Sequence, residues 1–424
     1  VAGGTGVYIY TYDIAYYTWD NSSCTLGDIS IDNNFIDAQS EGISFDCNDT
    51  SYQMYGNSTC TIGDTYIENN SIDSQDMGIY FYVEDIAVYN EGTPRFYQGD
   101  CYIRNNSQIL ANDYGIYIYY YDYYVGKENY DNAYAELPSY IITGNTFDTE
   151  WDAIYFYTYS NPDDTYGSSV VDFGGFFIDG NIFNSGTYTM DDGIYLYYDD
   201  FCEGCYDSSG AIVRDITISN NQFTGLSGDA IEFWLGEIGY SYNDNGFVEF
   251  GDINISGNTV NGAQSGVYMD YSEISADYDG RTTMGNLDIL GNEFSNLSSD
   301  GIYLNYYLEA NDTSSVSVGR ALIQGGTLNG VGNNNGIYVN ATENEATGAT
   351  ASFGGVVIDG NYIDGWINGI YLESGSNTSI VSNNIQFNQD GIYIEKAGDT
   401  FILGNNILNN WGGGPSCVHA NDGA

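Results

Sequence analysis

Positive charge is nearly missing from this sequence. Its 424 residues include seven Lys and Arg and one His against 59 Asp and Glu, which gives a formal charge of −52. The few bases are scattered, and phosphate contacts need clustered Lys and Arg, so the sequence excludes nucleic-acid binding. It has neither a run of 18 apolar residues nor a helical periodicity. We therefore expect no membrane span and no helices.

A five-residue phrase recurs along the chain, most clearly as Gly193-Ile194-Tyr195-Leu196-Tyr197. Its first position, the anchor, returns at steps of 33 to 40 residues, with a last step of 22. The anchors are Gly6, Gly42, Gly78, Gly115, Ala153, Gly193, Ala230, Gly266, Gly301, Gly336, Gly369 and Gly391. Alternating aliphatic and aromatic residues predict a strand with one buried face. The fixed period predicts a repeat architecture.

Each repeat also contains the pattern aliphatic-x-x-Asn-x-apolar, as in Ile178 to Phe183. We interpret it as a second strand ending in a turn, because Asn tolerates left-handed backbone. The turn residues are Asn34, Asn70, Asn106, Asn145, Asn181, Asn221, Asn258, Asn292, Gly326, Asn361, Asn384 and Asn405. The 22-residue step from Gly369 to Gly391 suits one minimal coil. Longer repeats read as that coil with about 14 residues inserted between the strands, as at Tyr271 to Met284.

These features predict an all-β fold in which residues 1–424 form a single parallel β-helix of about 12 coils with a period of about 36 residues. The pattern resembles the pectin-lyase-like superfamily over essentially the whole chain, which implies right-handed winding. That superfamily includes lyases, hydrolases, tailspikes, adhesins and surface-layer proteins, so the resemblance implies a fold and no single function. In composition, the chain resembles acidic surface-layer and sheath proteins.

Catalytic motifs of the resembling enzymes do not recur here. A polygalacturonase would bring Asn-Thr-Asp, Gly-His-Gly and Arg-Ile-Lys, whereas only paired Asp residues are present and the one histidine, His419, is in the C-terminal tail. A pectate-lyase-like site needs a base beside clustered acids, and bases are scarce. We therefore expect a protein that is not an enzyme. A hydrolase that uses two carboxylates on neutral glycans is the alternative.

Two columns of side chains are predicted along the outside of the rod. Tyr stands two residues after the anchor in ten coils, with Ser44 and Glu232 as the exceptions, and such a ladder suits sugar stacking, lateral packing of rods, or cover by the inserted loops. An acid precedes the anchor in six coils, at Glu41, Asp152, Asp192, Asp229, Asp300 and Asp390. Asp152, Asp192 and Asp229 are in consecutive coils and are candidate ligands of a hard cation such as Ca²⁺, although Asp is also a common turn residue.

The seven cysteines suggest bridges. Cys24 and Cys60 each precede a turn Asn by ten residues, so they share a register in adjacent coils and are expected to pair. Cys202 and Cys205 form a C-x-x-C that favours a local disulfide or free thiols over a zinc or redox site. Because seven is odd, one thiol is left over, and Cys417 is the candidate for a bond to another chain.

No leader precedes Val1, so the prediction of an extracellular location depends on the glycosylation sequons. The candidate glycosylation sites are Asn21, Asn48, Asn57, Asn254, Asn296, Asn311, Asn340 and Asn377. Asn69 and Asn105 also begin sequons, but they fall in the Asn turns and are expected to be less accessible.

The chain begins on an anchor strand, Val7-Tyr8-Ile9-Tyr10, and ends where a thirteenth anchor is due at Gly413, followed by a degenerate strand with Cys417 and Val418. No cap is readable at either end, which favours head-to-tail contact between identical rods over a frayed end covered by a loop. The function that we predict is a non-catalytic, self-assembling extracellular filament, sheath or S-layer. The alternative is a glycan-binding or carbohydrate-active β-helix.

Overall fold

The computed structural model describes residues 4–121, 125–202, 204–239, 242–243, 245–332, 334–375, 377–411 and 418–420. All regular elements in these ranges are β-strands, and every strand pair is parallel. Equivalent strands of successive coils pair side by side, so each coil adds one strand to each of several long sheets. The predicted all-β parallel solenoid with a period of about 36 residues is confirmed.

Four sheets run along the solenoid, and we number them in the order in which one coil visits them. Sheet 1 holds the anchor strands and has 13 members among the described residues. Its strands are Val7–Tyr12, Ile43–Asn48, Ile79–Val83, Ile116–Tyr120, Ile154–Tyr159, Ile194–Asp199, Ile231–Leu235, Val267–Ala276, Ile302–Ala310, Asn335–Glu345, Asn368–Gly375, Asp390–Ala397 and Val418–Ala420.

Sheet 2 lies within the segment that the sequence shows as an insertion. Its ten strands are Ser23–Leu26, Thr59–Ile62, Arg95–Gln98, Tyr134–Glu136, Val170–Phe173, Gly210–Val213, Phe247–Phe250, Arg281–Met284, Ser315–Val318 and Thr350–Phe353. Two small pairs flank it, Tyr55–Gly56 with Glu91–Gly92 and Cys205–Tyr206 with Tyr242–Asn243. The described residues of the insertions therefore form layers of the solenoid that stack from coil to coil.

Sheets 3 and 4 lie on the two sides of the asparagine bend that recurs in each coil, and each has 12 strands among the described residues. Sheet 3 consists of Ile29–Asp32, Thr65–Glu68, Cys101–Arg104, Tyr140–Thr143, Phe176–Asp179, Ile216–Ser219, Ile253–Ser256, Leu287–Leu290, Ala321–Gln324, Val356–Asp359, Thr378–Val381 and Thr400–Leu403. Sheet 4 consists of Phe35–Ala38, Ser71–Ser74, Gln108–Ala111, Thr146–Thr149, Ile182–Asn184, Gln222–Thr224, Thr259–Ala263, Glu293–Leu297, Thr327–Gly330, Tyr362–Asp364, Asn384–Gln386 and Asn406–Leu408.

The anchor strands pair in the predicted register. Ile79 pairs with Ile43 on one side and Ile116 on the other, and these inward side chains are fully buried. At Gly193 a Cβ would lie 2.6 Å from the carbonyl oxygen of Ala230, which accounts for glycine at this anchor. The thirteenth strand of sheet 1 starts at Val418, which pairs with Ile392, and the anchor predicted at Gly413 lies outside the described residues.

The bend between sheets 3 and 4 contains an internal asparagine ladder. The backbone N–H and the Nδ2 of Asn181 donate to Oδ1 of Asn221, 2.9 and 3.1 Å away, and Nδ2 also donates to the Ile142 carbonyl at 2.8 Å. The left-handed residue is the one before each ladder position, for example Gly180 with φ 64°. The prediction that the turn asparagines adopt the left-handed backbone conformation is therefore wrong. Their side chains instead form hydrogen bonds inside the coil.

One ladder residue is also one position away from its prediction. Asn361 donates to Oδ1 of Asn383, and Asn383 donates in turn to Asn405, so the ladder passes through Asn383 and not Asn384. The pattern misled because two adjacent asparagines occupy this bend, and only the residue that follows left-handed Ser382 points inward. Asn383 is 1% exposed.

The short step from Gly369 to Gly391 is a minimal coil, as predicted. Its sheet 1 strand ends at Gly375, and the sheet 3 strand starts at Thr378, which leaves no room for a sheet 2 strand between them. Sheet 2 accordingly ends at Thr350–Phe353, one coil earlier.

Candidate functional site: the outer face of sheet 1

Two aromatic columns cover the outer face of sheet 1. Column one is the predicted tyrosine ladder, in which neighbouring ring centroids lie 4.5 to 5.5 Å apart. Column two stands two residues further along each strand and consists of Tyr82, Tyr119, Tyr157, Tyr197 and Trp234, with centroids 5.0 to 6.4 Å apart. We did not predict the second column from the sequence, because aromatic residues occupy its positions in only part of the chain.

His419 continues column one. Its ring stacks on Tyr393 with centroids 5.0 Å apart, so the residue that we expected in a tail lies in a paired strand.

Ring stacking limits what the ladder can bind. Tyr303 lies between Tyr268 and Tyr338 with interplanar angles of 4° and 2°, so both of its faces are covered. A sugar ring needs a free aromatic face, and in this stretch mainly ring edges and hydroxyls are left to contact solvent. The ring contacts of Tyr117 come from Tyr80, Tyr114, Tyr119 and Tyr155. Neighbouring tyrosines therefore account for part of the cover that the sequence left open to the inserted loops.

The acids before the anchors form a second ladder, at the turn from sheet 4 into sheet 1. The backbone N–H of Asp192 donates to Oδ1 of Asp152 at 3.1 Å, and the N–H of Asp229 donates to Oδ1 of Asp192. Asp229 in turn accepts from the backbone N–H of Ser265. Each carboxylate thus holds the backbone of the next coil, which is the turn role that the sequence left open beside cation binding.

Glu232 interrupts column one beside this acid ladder. It pairs with Tyr195 on one side and Tyr268 on the other, so a carboxylate stands where every neighbouring coil has a phenol. Oxygens of Asp192, Asp229 and Glu232 lie within 4.8 Å of one another, close enough to bind one hard cation. The structure thus joins two predicted ligands, adds Glu232, and leaves Asp152 outside that group. In the sequence, Glu232 was marked only as an exception to the column of tyrosines.

The protonation of this cluster is unusual. Burial, with the charges of Asp152 and Glu232 next in importance, raises the pKa of Asp192 to about 9. Burial also raises the pKa of Glu232 and of Asp152 to about 7 each. Crowded carboxylates in a half-buried site retain protons because they cannot all be ionised together. A cation that binds here would release protons.

Tyrosine hydroxyls supply donors that the scarce bases do not. Tyr197 donates to Asp199 at 2.6 Å, Tyr82 donates to Glu84 at 2.9 Å, and Tyr338 donates to Glu373 of the next coil. Burial and these carboxylates raise the pKa of Tyr82 and of Tyr197 well above the ordinary value. The abundance of Tyr and of acids is thus connected, because each phenol gives a carboxylate a neutral hydrogen-bond donor.

A third ladder, which we did not predict from the sequence, lies at the bend from sheet 2 into sheet 3. The N–H of Asp64 donates to Oδ1 of Asp28, and the N–H of Asp100 donates to Oδ1 of Asp64, at 3.1 and 3.0 Å. Its signal is a Gly-Asp dipeptide that recurs at 36-residue spacing. Gly63 is needed there because a Cβ would lie 2.3 Å from the Asp28 carboxylate.

The cysteines follow the predicted geometry in part. Cys24 pairs with Cys60 in adjacent strands of sheet 2, as predicted, but both are free thiols in the structure, so their bond is still a prediction. Cys202 and Cys205 are joined by a disulfide with Cα atoms 5.7 Å apart. Cys417 lies outside the described residues.

The sequon asparagines divide by exposure. Four of the predicted sites, Asn21, Asn57, Asn296 and Asn377, are exposed, whereas Asn48, Asn254, Asn311 and Asn340 are half-buried. Asn69 and Asn105 are exposed, which overturns the expectation that the bend would hide them. Their side chains point outward because the next residue supplies the inward ladder amide.

The residues predicted for assembly lie on strands of sheet 1. Val7, Tyr8, Ile9 and Tyr10 belong to Val7–Tyr12, which pairs with Ile43–Asn48. Tyr8 and Tyr10 are each about half exposed, at 57% and 51%. Val418 pairs with Ile392.

Comparison with known proteins adds no family to these observations. No protein-family model matches the chain, and none of the curated proteins compared with it matches. Among the described residues there is no helix long and apolar enough to cross a membrane.

Proposed function

We propose that this protein is a non-catalytic structural protein of the cell exterior, which associates with copies of itself, coil on coil, into a filament, sheath or S-layer. The observation that carries the proposal is the asparagine ladder, which repeats the same buried contacts from Asn70 to Asn383 except at Gly326. Each coil therefore presents nearly the same strand edges and inward side chains as the next, and an unpaired coil edge fits another copy.

The bases support a structural function. Arg104 pairs with Glu68 of the preceding coil, and Arg214 contacts both Asp172 and Glu136. Lys127, Arg281 and Arg320 also form ion pairs. These bases join neighbouring coils, whereas a lyase needs a base that is free to face its substrate.

Cations and glycans are part of the same proposal. Ca²⁺ would bind the oxygens of Asp192, Asp229 and Glu232 and reduce repulsion along the acidic face. Glycans would be attached at the exposed sequons, of which Asn57 and Asn296 are examples. We also propose that the chain is related to the right-handed pectin-lyase-like superfamily and to acidic surface-layer proteins.

Electron microscopy of the native material, with light scattering of the purified chain in millimolar Ca²⁺, tests the proposal. We expect ordered polymers or layers whose mass grows with protein concentration. Lateral contacts through the tyrosine face would show as sheets or bundles of rods. Monodisperse, monomeric chains over a wide concentration range in Ca²⁺ would refute self-assembly.

The second candidate is a glycan-binding or hydrolysing β-helix, and one observation favours it. At Glu232 the tyrosine stack is interrupted, and this carboxyl, whose pKa is raised by burial to about 7, lies close to those of Asp192 and Asp229. A protonated acid beside a carboxylate is the pair that glycoside hydrolysis requires. A glycan array and hydrolysis screen, comparing the native chain with Glu232→Gln, tests it. Lack of any glycan that is bound or cleaved would reject this candidate.

A further inference from the structure

The aromatic columns of sheet 1 form a connected network from Tyr80 to Trp234. Along the axis, the ring centroids of columns one and two lie 5.0 to 6.4 Å apart in this part of the chain. Within one coil the two columns are also in contact, with centroids 5.8 to 6.4 Å apart. Four successive coils thus carry two redox-active phenols each, and the network reaches an indole at Trp234.

Two of these phenols have a proton acceptor in place. Oxidation of a tyrosine near neutral pH removes one electron from the ring and one proton from the hydroxyl. Tyr82 at one end of column two donates to Glu84, and Tyr197 near the other end donates to Asp199. Each bonded carboxylate can take the phenolic proton as the electron leaves and return it when the electron is replaced.

The negative charge of the chain favours an electron vacancy, that is, the loss of one electron from these aromatic rings. With 59 acids against seven bases, the field over this face is negative and lowers the free energy of an oxidised, more positive ring. The indole of Trp234 stacks on Tyr197 at an interplanar angle of 8°. A phenol that gives its proton to a carboxylate as it is oxidised has an oxidation potential close to that of an indole, so an electron vacancy on Tyr197 can exchange with Trp234.

We propose that the two aromatic columns conduct oxidising equivalents along the solenoid, from Tyr80 and Tyr82 to Trp234. A one-electron oxidant, such as an oxygen-derived radical or an excited metal complex, takes one electron from Tyr82 and is reduced by one electron, while Glu84 takes the proton. Each next ring then refills its neighbour with one electron and gives its own proton to a bonded carboxylate or to solvent water, while the neighbour regains the proton that it lost. In sum, the oxidant is reduced by one electron, and the half-buried Trp234 loses one electron to Tyr197 and its indole proton to solvent water.

Replacement of Tyr by Phe separates conduction from packing. Phenylalanine keeps the ring and the stacking, and it removes the phenol that can be oxidised at moderate potential. A structural role of the columns is largely retained in such variants, whereas conduction is lost.

The experiment uses the full chain with a ruthenium polypyridyl photo-oxidant attached to Asp46→Cys, since position 46 pairs with Tyr82. Every variant also carries Cys24→Ser, so that this half-exposed thiol is not labelled. Trp151→Phe is included because the Trp151 ring contacts Tyr114 and would divert the vacancy. Flash oxidation is followed by transient absorption, which distinguishes tyrosyl from indolyl radicals, and oxidised residues are mapped by peptide mass.

In this parent we expect indolyl radical and oxidation product at Trp234. In the variant with Tyr117, Tyr119, Tyr155 and Tyr157 all replaced by Phe, we expect both signals to be lost. The double variant Tyr155→Phe with Tyr157→Phe removes one rung and should slow the arrival at Trp234.

The matched control is Tyr66→Phe with Tyr102→Phe, a stacked pair on sheet 3 whose centroids are 5.0 Å apart. It should leave the Trp234 signal unchanged. Equal unfolding midpoints of parent and variants show that the fold is intact. If the parent gives no indolyl radical, or if the fourfold variant gives as much as the parent, the columns serve packing alone and the proposal is wrong.

Discussion

At the scale of single residues, a buried amide and its exposed neighbour have different tasks. Asn383 accepts from Asn361 and donates to Ile358 and Asn405, all at 2.8 to 3.0 Å inside the solenoid. Asn384 is half-buried on sheet 4, and its Oδ1 accepts a hydrogen bond from Nδ2 of the exposed Asn406. The two residues have the same chemistry and are adjacent in sequence, so they make a matched pair for mutation.

We expect Asn383→Ala to lower the free energy of unfolding of the surrounding coils by about 3 kcal/mol, because it leaves buried backbone groups without partners. Asn384→Ala should cost less than about 1 kcal/mol, as is usual for a surface substitution. Urea unfolding with hydrogen exchange resolved by coil measures both. Equal losses for the two variants would show that the ladder is not the source of stability.

The carboxyl cluster gives a residue-scale dependence on pH. The raised pKa of Asp192, about 9, means that the folded chain binds more protons than the unfolded chain between the ordinary Asp pKa of about 4 and pH 9. Stability from this group is therefore greatest at low pH and falls as the pH rises through that window.

We expect Asp192→Asn to flatten this decline and to stabilise the protein at pH 8 relative to the parent. Asp73→Asn, at an exposed position on sheet 4, serves as the control and should leave the slope unchanged. Thermal unfolding from pH 5 to pH 9 without divalent cations measures the effect. A parent whose stability rises with pH over this range would contradict the assignment.

At the scale of elements, the strands Ser23–Leu26 and Thr59–Ile62 bring two thiols to the same register position. Burial is the largest cause that raises the pKa of Cys60, to about 12. Little thiolate is therefore present near neutral pH, and the thiol reacts slowly. Adjacent parallel strands place Cα atoms within the range that a disulfide spans.

We expect mild oxidation to join Cys24 and Cys60 and to raise the free energy of unfolding by about 3 to 4 kcal/mol, since the bond closes a long loop of the unfolded chain. Peptide mass mapping without reductant identifies the bond, and unfolding with and without reductant measures its effect. Because reductant also opens the 202–205 disulfide, Cys60→Ser should reduce the difference to the part that this second bond contributes, whereas Cys101→Ser should leave it unchanged. No bond between residues 24 and 60 under conditions that preserve the 202–205 disulfide would refute the pairing.

At the scale of the whole molecule, stacking repeats the same charges at the spacing of the coils. Carboxylates about 5 Å apart repel by about 0.8 kcal/mol per pair even at the dielectric constant of water. The chain also carries −52 formal charges with few bases to offset them. Stability should therefore depend on the ionic medium more than in a protein of balanced charge.

We expect the unfolding midpoint to rise steadily from 10 mM to 1 M NaCl, because the screening length falls from about 30 Å to about 3 Å over that range. CaCl₂ at matched ionic strength should raise it further. Glu232→Gln, which removes one of the three clustered oxygen donors, should reduce the additional effect of calcium and leave the effect of NaCl. A midpoint independent of salt would show that the ladders of hydrogen bonds already offset the repulsion.

The sequence by itself determined the period, the anchor strands, the position of most bend asparagines and the register of Cys24 with Cys60. It could do so because a solenoid repeats its contacts at a fixed distance along the chain, and such contacts leave a periodic pattern. Only the tertiary structure decided what varies within the period. It showed sheet 2 in the insertions, Asn383 in place of Asn384, the outward position of Asn69, and the meeting of Glu232 with Asp192 and Asp229. These depend on which way a side chain points and on how three coils approach one another, and neither is set by the spacing of residues along one chain.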